Sequence, residues 1–302
     1  MSASLGLGTY KVRDIAKAAR TACLHGTARI DTARIDTAPN YGSAHQELVP
    51  VLSEHPQIKV STKTGFFSKD EATAAVAEGI LTDAQAAAGH SLTPEFLRWQ
   101  TDRSLAVLGR ADIVFVHNPE HAHLGRQELH ERLRDGFAEL ERFAQAGRIG
   151  GYGVAAWSGF TSGAFTVPDL LGLAREAAGT DQHHLHAVQL PVSLVMARPI
   201  SLALDGRGPL VQARAAGLTT FGSSPLHGGE LPRLATPELA DHIRPGSTPA
   251  AACLLAAISC PSLDVVLLSA STAEHWAAAR EAAAAPLVPA ELRKAIDVLA
   301  QG

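Results

Sequence analysis

Eight short apolar runs of β-forming residues, each separated from the next by a longer helical stretch, constrain this 302-residue chain more than any other feature. The runs are Leu5–Tyr10, Arg34–Asp36 with the residues just before it, Ile58–Lys63, Asp112–His117, Gly150–Val154, Ala187–Leu190, Leu218–Phe221 and Asp264–Leu268. Their apolar residues are continuous rather than alternating, as strands covered on both faces require. Between them, Val12, Ile15, Ala16, Ala19 and Cys23 follow the i, i+3, i+4, i+7 spacing of a one-faced helix, and so do Leu97, Thr101, Leu105 and Leu108. Thr93-Pro94-Glu95 and Thr248-Pro249-Ala250 each read as a Thr cap followed by Pro in the first helical turn, and a last helix is expected over Pro289–Gln301. Strands alternating with helices imply a parallel sheet. Eight such units fit a closed (β/α)8 barrel of the TIM type. The rival, a doubly wound open sheet, usually places a Gly-rich fingerprint after its first strand. Leu5-Gly6-Leu7-Gly8-Thr9 has two of those glycines and no third in register. With no linker in view, a single domain over residues 1–302 is expected.

Composition narrows the function classes. The net charge is -4 and no Lys/Arg tract occurs, which argues against nucleic acid or a membrane surface as partner. No apolar run is long enough to span a bilayer, and Met1-Ser2-Ala3-Ser4 begins no signal peptide. Cys23, Cys253 and Cys260 lie among apolar neighbours and read as buried thiols in a reducing compartment, so a cytoplasmic location is expected. His183-His184-Leu185-His186 is the nearest approach to metal-ligand spacing and reads as a solvated loop cluster; no metal site is expected. His45, His121 and His123 read most simply as solvated.

In a barrel of this kind the chemistry sits where the strands end at their C-terminal side. Strand two ends at Asp36, with Tyr41 in the loop that follows; strand three ends at Lys63 and strand four at His117. A carboxylate, a phenol, an amine and an imidazole thus converge on one mouth. A Tyr is a poor acid at neutral pH. A neighbouring ammonium favours the tyrosinate and makes it a better one. An Asp paired to the Lys keeps that charge in place, and a His can hydrogen-bond a carbonyl oxygen. The set suits proton transfer to a carbonyl oxygen while hydride reaches the carbon from elsewhere. Phe66 and Trp157 follow strand ends and are candidate walls of a substrate pocket, with Phe67 and Phe160 beside them.

At this point the chain resembles the aldo-keto reductases. The matching stretches are Leu5-Gly6-Leu7-Gly8-Thr9, Asp36-Thr37-Ala38-Pro39-Asn40-Tyr41-Gly42, Ser61-Thr62-Lys63-Thr64-Gly65, Val116-His117-Asn118-Pro119, Gly147-Arg148-Ile149-Gly150, Gly153-Val154, Val188-Gln189 and Ser224-Pro225-Leu226, in family order. The Ser-Thr-Lys-x-Gly and Val-His-x-Pro forms look most like the bacterial sugar and aldose dehydrogenase branch. The resemblance implies a barrel that binds NADP(H) in extended form, with NAD(H) as the other possibility. It further implies Asp36, Tyr41, Lys63 and His117 as a catalytic tetrad with Tyr41 as proton donor, acting on a small carbonyl or alcohol, sugar-like in this branch. Gln189, Ser224 and Leu226 match cofactor-contacting segments. Where the family commonly offers Ser-Asn after Gly153-Val154, this chain has Ala155-Ala156-Trp157-Ser158. After strand eight, where many members clamp the adenosine phosphate, it reads Ser269-Ala270-Ser271-Thr272-Ala273-Glu274-His275. Ser269, Ser271 and Thr272 are then the hydroxyl donors for phosphate, and His275 stands where the family has Arg or Gln. Two other classes stay open: a non-redox lyase or isomerase on the same tetrad, and a non-catalytic, cofactor-sensing binding subunit.

One local feature is unusual. Thr27-Ala28-Arg29-Ile30-Asp31 is followed at once by Thr32-Ala33-Arg34-Ile35-Asp36. The family spacing from aspartate to tyrosine selects Asp36. A shift of five residues would reverse which side chains of a strand face inward. The second copy is therefore expected to form the strand, and the surplus residues to bulge out.

Overall fold

Each of the eight apolar runs supplies a strand: β1 (Ser4–Gly8), β2 (Arg34–Asp36), β3 (Lys59–Thr64), β4 (Ile113–His117), β5 (Tyr152–Ala155), β6 (Leu185–Pro191), β7 (Thr219–Ser223) and β8 (Val265–Leu268). The computed structural model describes residues 3–26 and 34–300. The strands follow one another in sequence order and close into a parallel barrel, β1 to β8, with helices between them. By packing, the chain falls into two compact units, Asp36–Val188 and Met1–Ile35 with Gln189–Gly302.

In the unit Asp36–Val188, β3 pairs with β4 (Lys63 opposite Phe115) and β4 with β5 (His117 opposite Ala155). Gly153 is obligatory there. A Cβ on it would lie 2.5 Å from the Ala187 carbonyl oxygen and 2.7 Å from the Phe115 ring, closer than real contacts allow. The helices Pro94–Leu108 and Arg126–Gln145 lay Phe96, Leu97, Leu133, Phe137 and Leu140 into the core. Full burial contributes about 2 kcal/mol for a side chain of this size. Three helices here begin with a reciprocal capping box: Ser68 with Glu71, Thr82 with Gln85 and Thr166 with Asp169. Thr93 differs from expectation. Pro94 does open the helix, but the Thr93 side chain makes no cap bond; its backbone N–H instead donates to Ser91 Oγ at 3.3 Å.

In the other unit, β1 pairs with β8 from Ser4↔Val265 to Leu7↔Leu268, and β7 with β8 at Phe221↔Val265. Thr248 caps the helix Pro249–Ile258 as expected, accepting from Ala251 N at 3.3 Å. Cys253 in that helix and Cys260 just beyond it are buried, and desolvation pushes their thiols up to about 11 and about 12. The first helix starts later than the periodicity suggests, at Ile15 with Asp14 as cap, because Lys11 sits at φ 60° and Val12 N turns back to Thr9 O. Of the doubled pentapeptide, the second copy supplies β2. The first copy, with Asp31, and the expected bulge lie outside the described residues.

Candidate active site

β2 and β3 end side by side, with Thr37 N donating to Ser61 O at 2.9 Å, and this places Asp36 next to Lys63. Both are buried. Lys63 Nζ donates to Asp36 Oδ2 and, at 2.9 Å, to Thr37 O, while Ser61 Oγ donates to Asp36 Oδ1 at 2.7 Å. Both carboxylate oxygens are therefore engaged, as a buried charge requires. Burial lowers the Lys63 pKa, and the charge and hydrogen bond of Asp36 oppose that fall. The Lys63 ammonium lies 5.2 Å from the centroid of the Tyr41 ring. Tyr41 follows β2 in a tight turn closed by Tyr41 N→Ala38 O, and its ring meets the His117 imidazole edge-on at 6.2 Å. The tetrad expected from the sequence is thus one cluster in the structure.

His117 at the end of β4 is held well below its ordinary pKa, first by burial and then by the Lys63 charge. It is a neutral imidazole at pH 7, able to donate one N–H. Its Nδ1 is buried and without a hydrogen-bond partner among the described residues. Behind it, His90 Nε2 lies 2.9 Å from the His117 carbonyl oxygen, which can only accept, so His90 carries its proton on Nε2. His90 falls to about 4, mainly by burial. His45, read from sequence as solvated, is buried instead. It shares a 2.9 Å hydrogen bond with Thr62 Oγ1, and burial followed by the Lys63 charge lowers it to about 4. Helix Ala44–Glu54 turns its first residues inward, which no local pattern announced. His121 and His123 are exposed, as expected.

The turn after β3 carries Phe66 to this cluster. The Phe66 ring lies 4.5 Å from His90, 5.1 Å from His117 and 5.6 Å from His121. Gln100, fully buried, fixes the turn: its Oε1 accepts from Gly65 N (2.8 Å) and Thr64 Oγ1 (3.0 Å), and its Nε2 donates to Phe66 O (2.8 Å). Phe67, a sequence candidate for the pocket, packs in the core against Phe96 instead. Phe160 stacks on Phe165. Trp157 is exposed at the head of the loop after β5. Gln100, His90 and Glu120, which binds the Trp157 loop, were not singled out from the sequence.

The other candidates lie in the second unit. Gln189 stands in β6, buried, with Nε2 lacking a partner among the described residues. Ser224, at φ 52°, and Leu226 follow β7. Ser269 Oγ donates to Gly8 O (2.8 Å) and Tyr10 O (3.1 Å), which ties the ends of β1 and β8 together. Thr272 Oγ1 accepts from His275 N and caps the helix Ala273–Ala284, with Ser271 just before it and His275 exposed in its first turn. Trp276 is an internal packing residue, its Nε1 donating to Ala270 O. His184, from the histidine-rich stretch, donates through Nδ1 to the buried Glu141. Among the described residues no group of His, Cys, Asp and Glu is placed to hold a metal ion, and no helix is long and apolar enough to cross a membrane.

The profile of the Aldo/keto reductase family matches residues 4–229. Among solved structures, the chain is similar to an aldo-keto reductase from a Medee basin deep-sea metagenome library (17% identity, 98% of this chain and 90% of that one, TM-score 0.65). It is similar also to an aldo-keto reductase from Bacillus halodurans in its holo form (16%, 98% and 91%, 0.68). A third is the glycerol dehydrogenase of Gluconobacter oxydans (17%, 98% and 91%, 0.68). At such identities the likeness speaks for the fold. No curated protein matches the chain.

Proposed function

The chain belongs to the aldo/keto reductase family, whose oxidoreductases use nicotinamide cofactors on small carbonyl compounds, and from that premise we propose that Asp36, Tyr41, Lys63 and His117 are its catalytic residues, with Tyr41 the general acid and base. The observation that carries the reading is the buried Lys63–Asp36 pair set beneath the Tyr41 ring, with a neutral His117 across from it. The Lys63 ammonium stabilises developing tyrosinate and so eases release of the Tyr41 proton to a carbonyl oxygen. Asp36, bonded by Ser61 and Lys63, fixes where that ammonium sits. His117, neutral, orients the carbonyl oxygen by donating its single N–H and leaves the proton transfer to Tyr41. Phe66 and Trp157 wall the substrate, a small aldehyde, ketone or alcohol of the sugar-like kind.

The residues present suit the cofactor. The unpartnered, buried Nε2 of Gln189 is a donor awaiting an acceptor, which a nicotinamide carboxamide provides. Ser224 and Leu226 border the same cofactor. Ser271 and Thr272, at the start of a 12-residue helix, supply hydroxyls and a favourable dipole for phosphate, and His275 adds a donor. Ser269 belongs to this group by position, but its hydroxyl proton is spent on Gly8 O and Tyr10 O, so Ser271 and Thr272 are the better donors. These groups favour NADP(H), with NAD(H) the second candidate. Hydride transfer is the chemistry that such a cofactor supplies when bound. We place the protein in the cytoplasm, in keeping with its three free cysteines, and read residues 1–302 as a single domain because one eight-stranded barrel takes strands from both ends of the chain. Calorimetric or fluorescence titration with NADPH and NADH tests the reading. Binding of one or both supports it. Failure of both at millimolar concentration overturns it in favour of non-redox acid–base chemistry or a binding role.

A further inference from the structure

The end of β5 and the loop after it lack polar side chains at Ala155 and Ala156, and the short helical turn that follows, Gly159–Ser162, has no side-chain cap from Ser158. The backbone N–H groups at its head are nevertheless satisfied, from another loop. Glu120, three residues beyond His117, extends a single carboxylate oxygen that accepts from Trp157 N (2.7 Å), Ser158 N (2.6 Å) and Gly159 N (3.0 Å). Asn118 N, in the same β4 loop, donates to Ala155 O at 2.6 Å. The two loops that carry His117 and Trp157 are therefore bound to each other by four hydrogen bonds, three of them charge-assisted.

The arrangement is costly. The second oxygen, Oε2, is buried without a partner among the described residues. A neutral capping side chain would satisfy an N–H of the turn without burying that oxygen. What the carboxylate adds is one acceptor strong enough to gather three N–H groups, and so to fix the backbone from which the Trp157 indole projects. Trp157 itself is 39% exposed, within reach of a molecule in solution.

We propose that Glu120 is a specificity-determining positioning residue: it holds Trp157 where it bounds the substrate, acting through the loop and not on the reacting atoms. The proposal rests on the carbonyl oxidoreductase reading above. It predicts that loosening the carboxylate frees the indole and weakens substrate binding while leaving the tetrad's chemistry in place.

The protein offers a direct readout. Of its three tryptophans, Trp99 and Trp276 are 8% and 0% exposed, so acrylamide quenching of fluorescence reports on Trp157. The test compares wild type with Glu120→Ala, Glu120→Gln and Glu120→Asp, using the full chain, NADPH and 4-nitrobenzaldehyde or glyceraldehyde. For Glu120→Ala we expect KM to rise about tenfold or more, kcat to change less than about threefold, NADPH Kd to stay within about twofold, and the quenching constant to rise about twofold. Glu120→Gln keeps an acceptor of lower strength and should give a KM between those of wild type and Glu120→Ala. Glu120→Asp keeps the charge but draws it back by one carbon, and takes the place of Glu120→Ala if that variant does not fold. Unchanged quenching, or changed quenching with an unchanged KM, overturns the proposal. A wild type that binds neither cofactor brings down the functional reading, and Glu120's part in turnover with it; unchanged quenching in an active enzyme brings down Glu120 alone.

Discussion

A tyrosine hydroxyl is a useful acid near neutral pH only if its surroundings are arranged for it. Here the arrangement is a buried ammonium 5.2 Å from the ring, held by a carboxylate whose two oxygens are both engaged. Tyr41→Phe removes the transferable proton and should lower kcat about a thousandfold or more, with NADPH affinity nearly unchanged by titration. A variant keeping most of its rate would show that the acid is elsewhere. Asp36→Asn takes the counter-charge from Lys63. Burial then lowers the amine's pKa unopposed, and kcat should fall about ten- to a hundredfold. Asp31→Asn, in the first copy of the pentapeptide, should be nearly silent; the reverse pattern in steady-state assays would mean that the other aspartate serves the site. Asp36, Tyr41, Lys63 and His117 stand out in the sequence as candidates because each ends, or closely follows, an apolar strand, where a polar residue is conspicuous. His45 could not, because whether a helix turns a given histidine inward depends on what packs over it.

At the scale of elements, the strands were legible and their supports were not. Continuous apolar runs located all eight strands to within a few residues. The groups that hold the turns after them act across 27 to 39 positions of sequence, as in His90 to His117, Gln100 to Phe66 and Glu120 to Gly159, and no local spacing marks such pairs. Gln100 is the most demanding of these. It sits in the helix Pro94–Leu108, yet its amide satisfies three groups of the turn that follows β3. Gln100→Leu keeps the apolar part of the side chain but leaves Gly65 N and Phe66 O without it. We expect a loss of about 2–4 kcal/mol in urea unfolding, together with reduced activity as Phe66 loses its place. A loss below about 0.5 kcal/mol would mean that water replaces the amide at little cost.

For the whole molecule, the buried imidazoles couple folding to acidity. His45 and His90 fall from an unfolded value near 6.5 to about 4, and His117 lies well below its ordinary value too. Between those limits the native chain binds fewer protons than the unfolded one. Stability is therefore intact above pH 6.5 and declines as the pH drops towards 4, by up to about 3 kcal/mol each for His45 and His90. Urea midpoints should fall steadily from pH 7 to pH 4.5, and His90→Gln should flatten the slope; a pH-independent midpoint would show that these histidines titrate normally. Cys253 and Cys260 are shielded in another sense. Peroxide and alkylating agents attack thiolates that they can reach, and thiols lifted to about 11 and about 12 inside packed apolar surroundings offer neither ionisation nor access. Damage at these two sulfurs must wait for the chain to open, so their tolerance to oxidants is set by how rarely the surrounding unit unfolds.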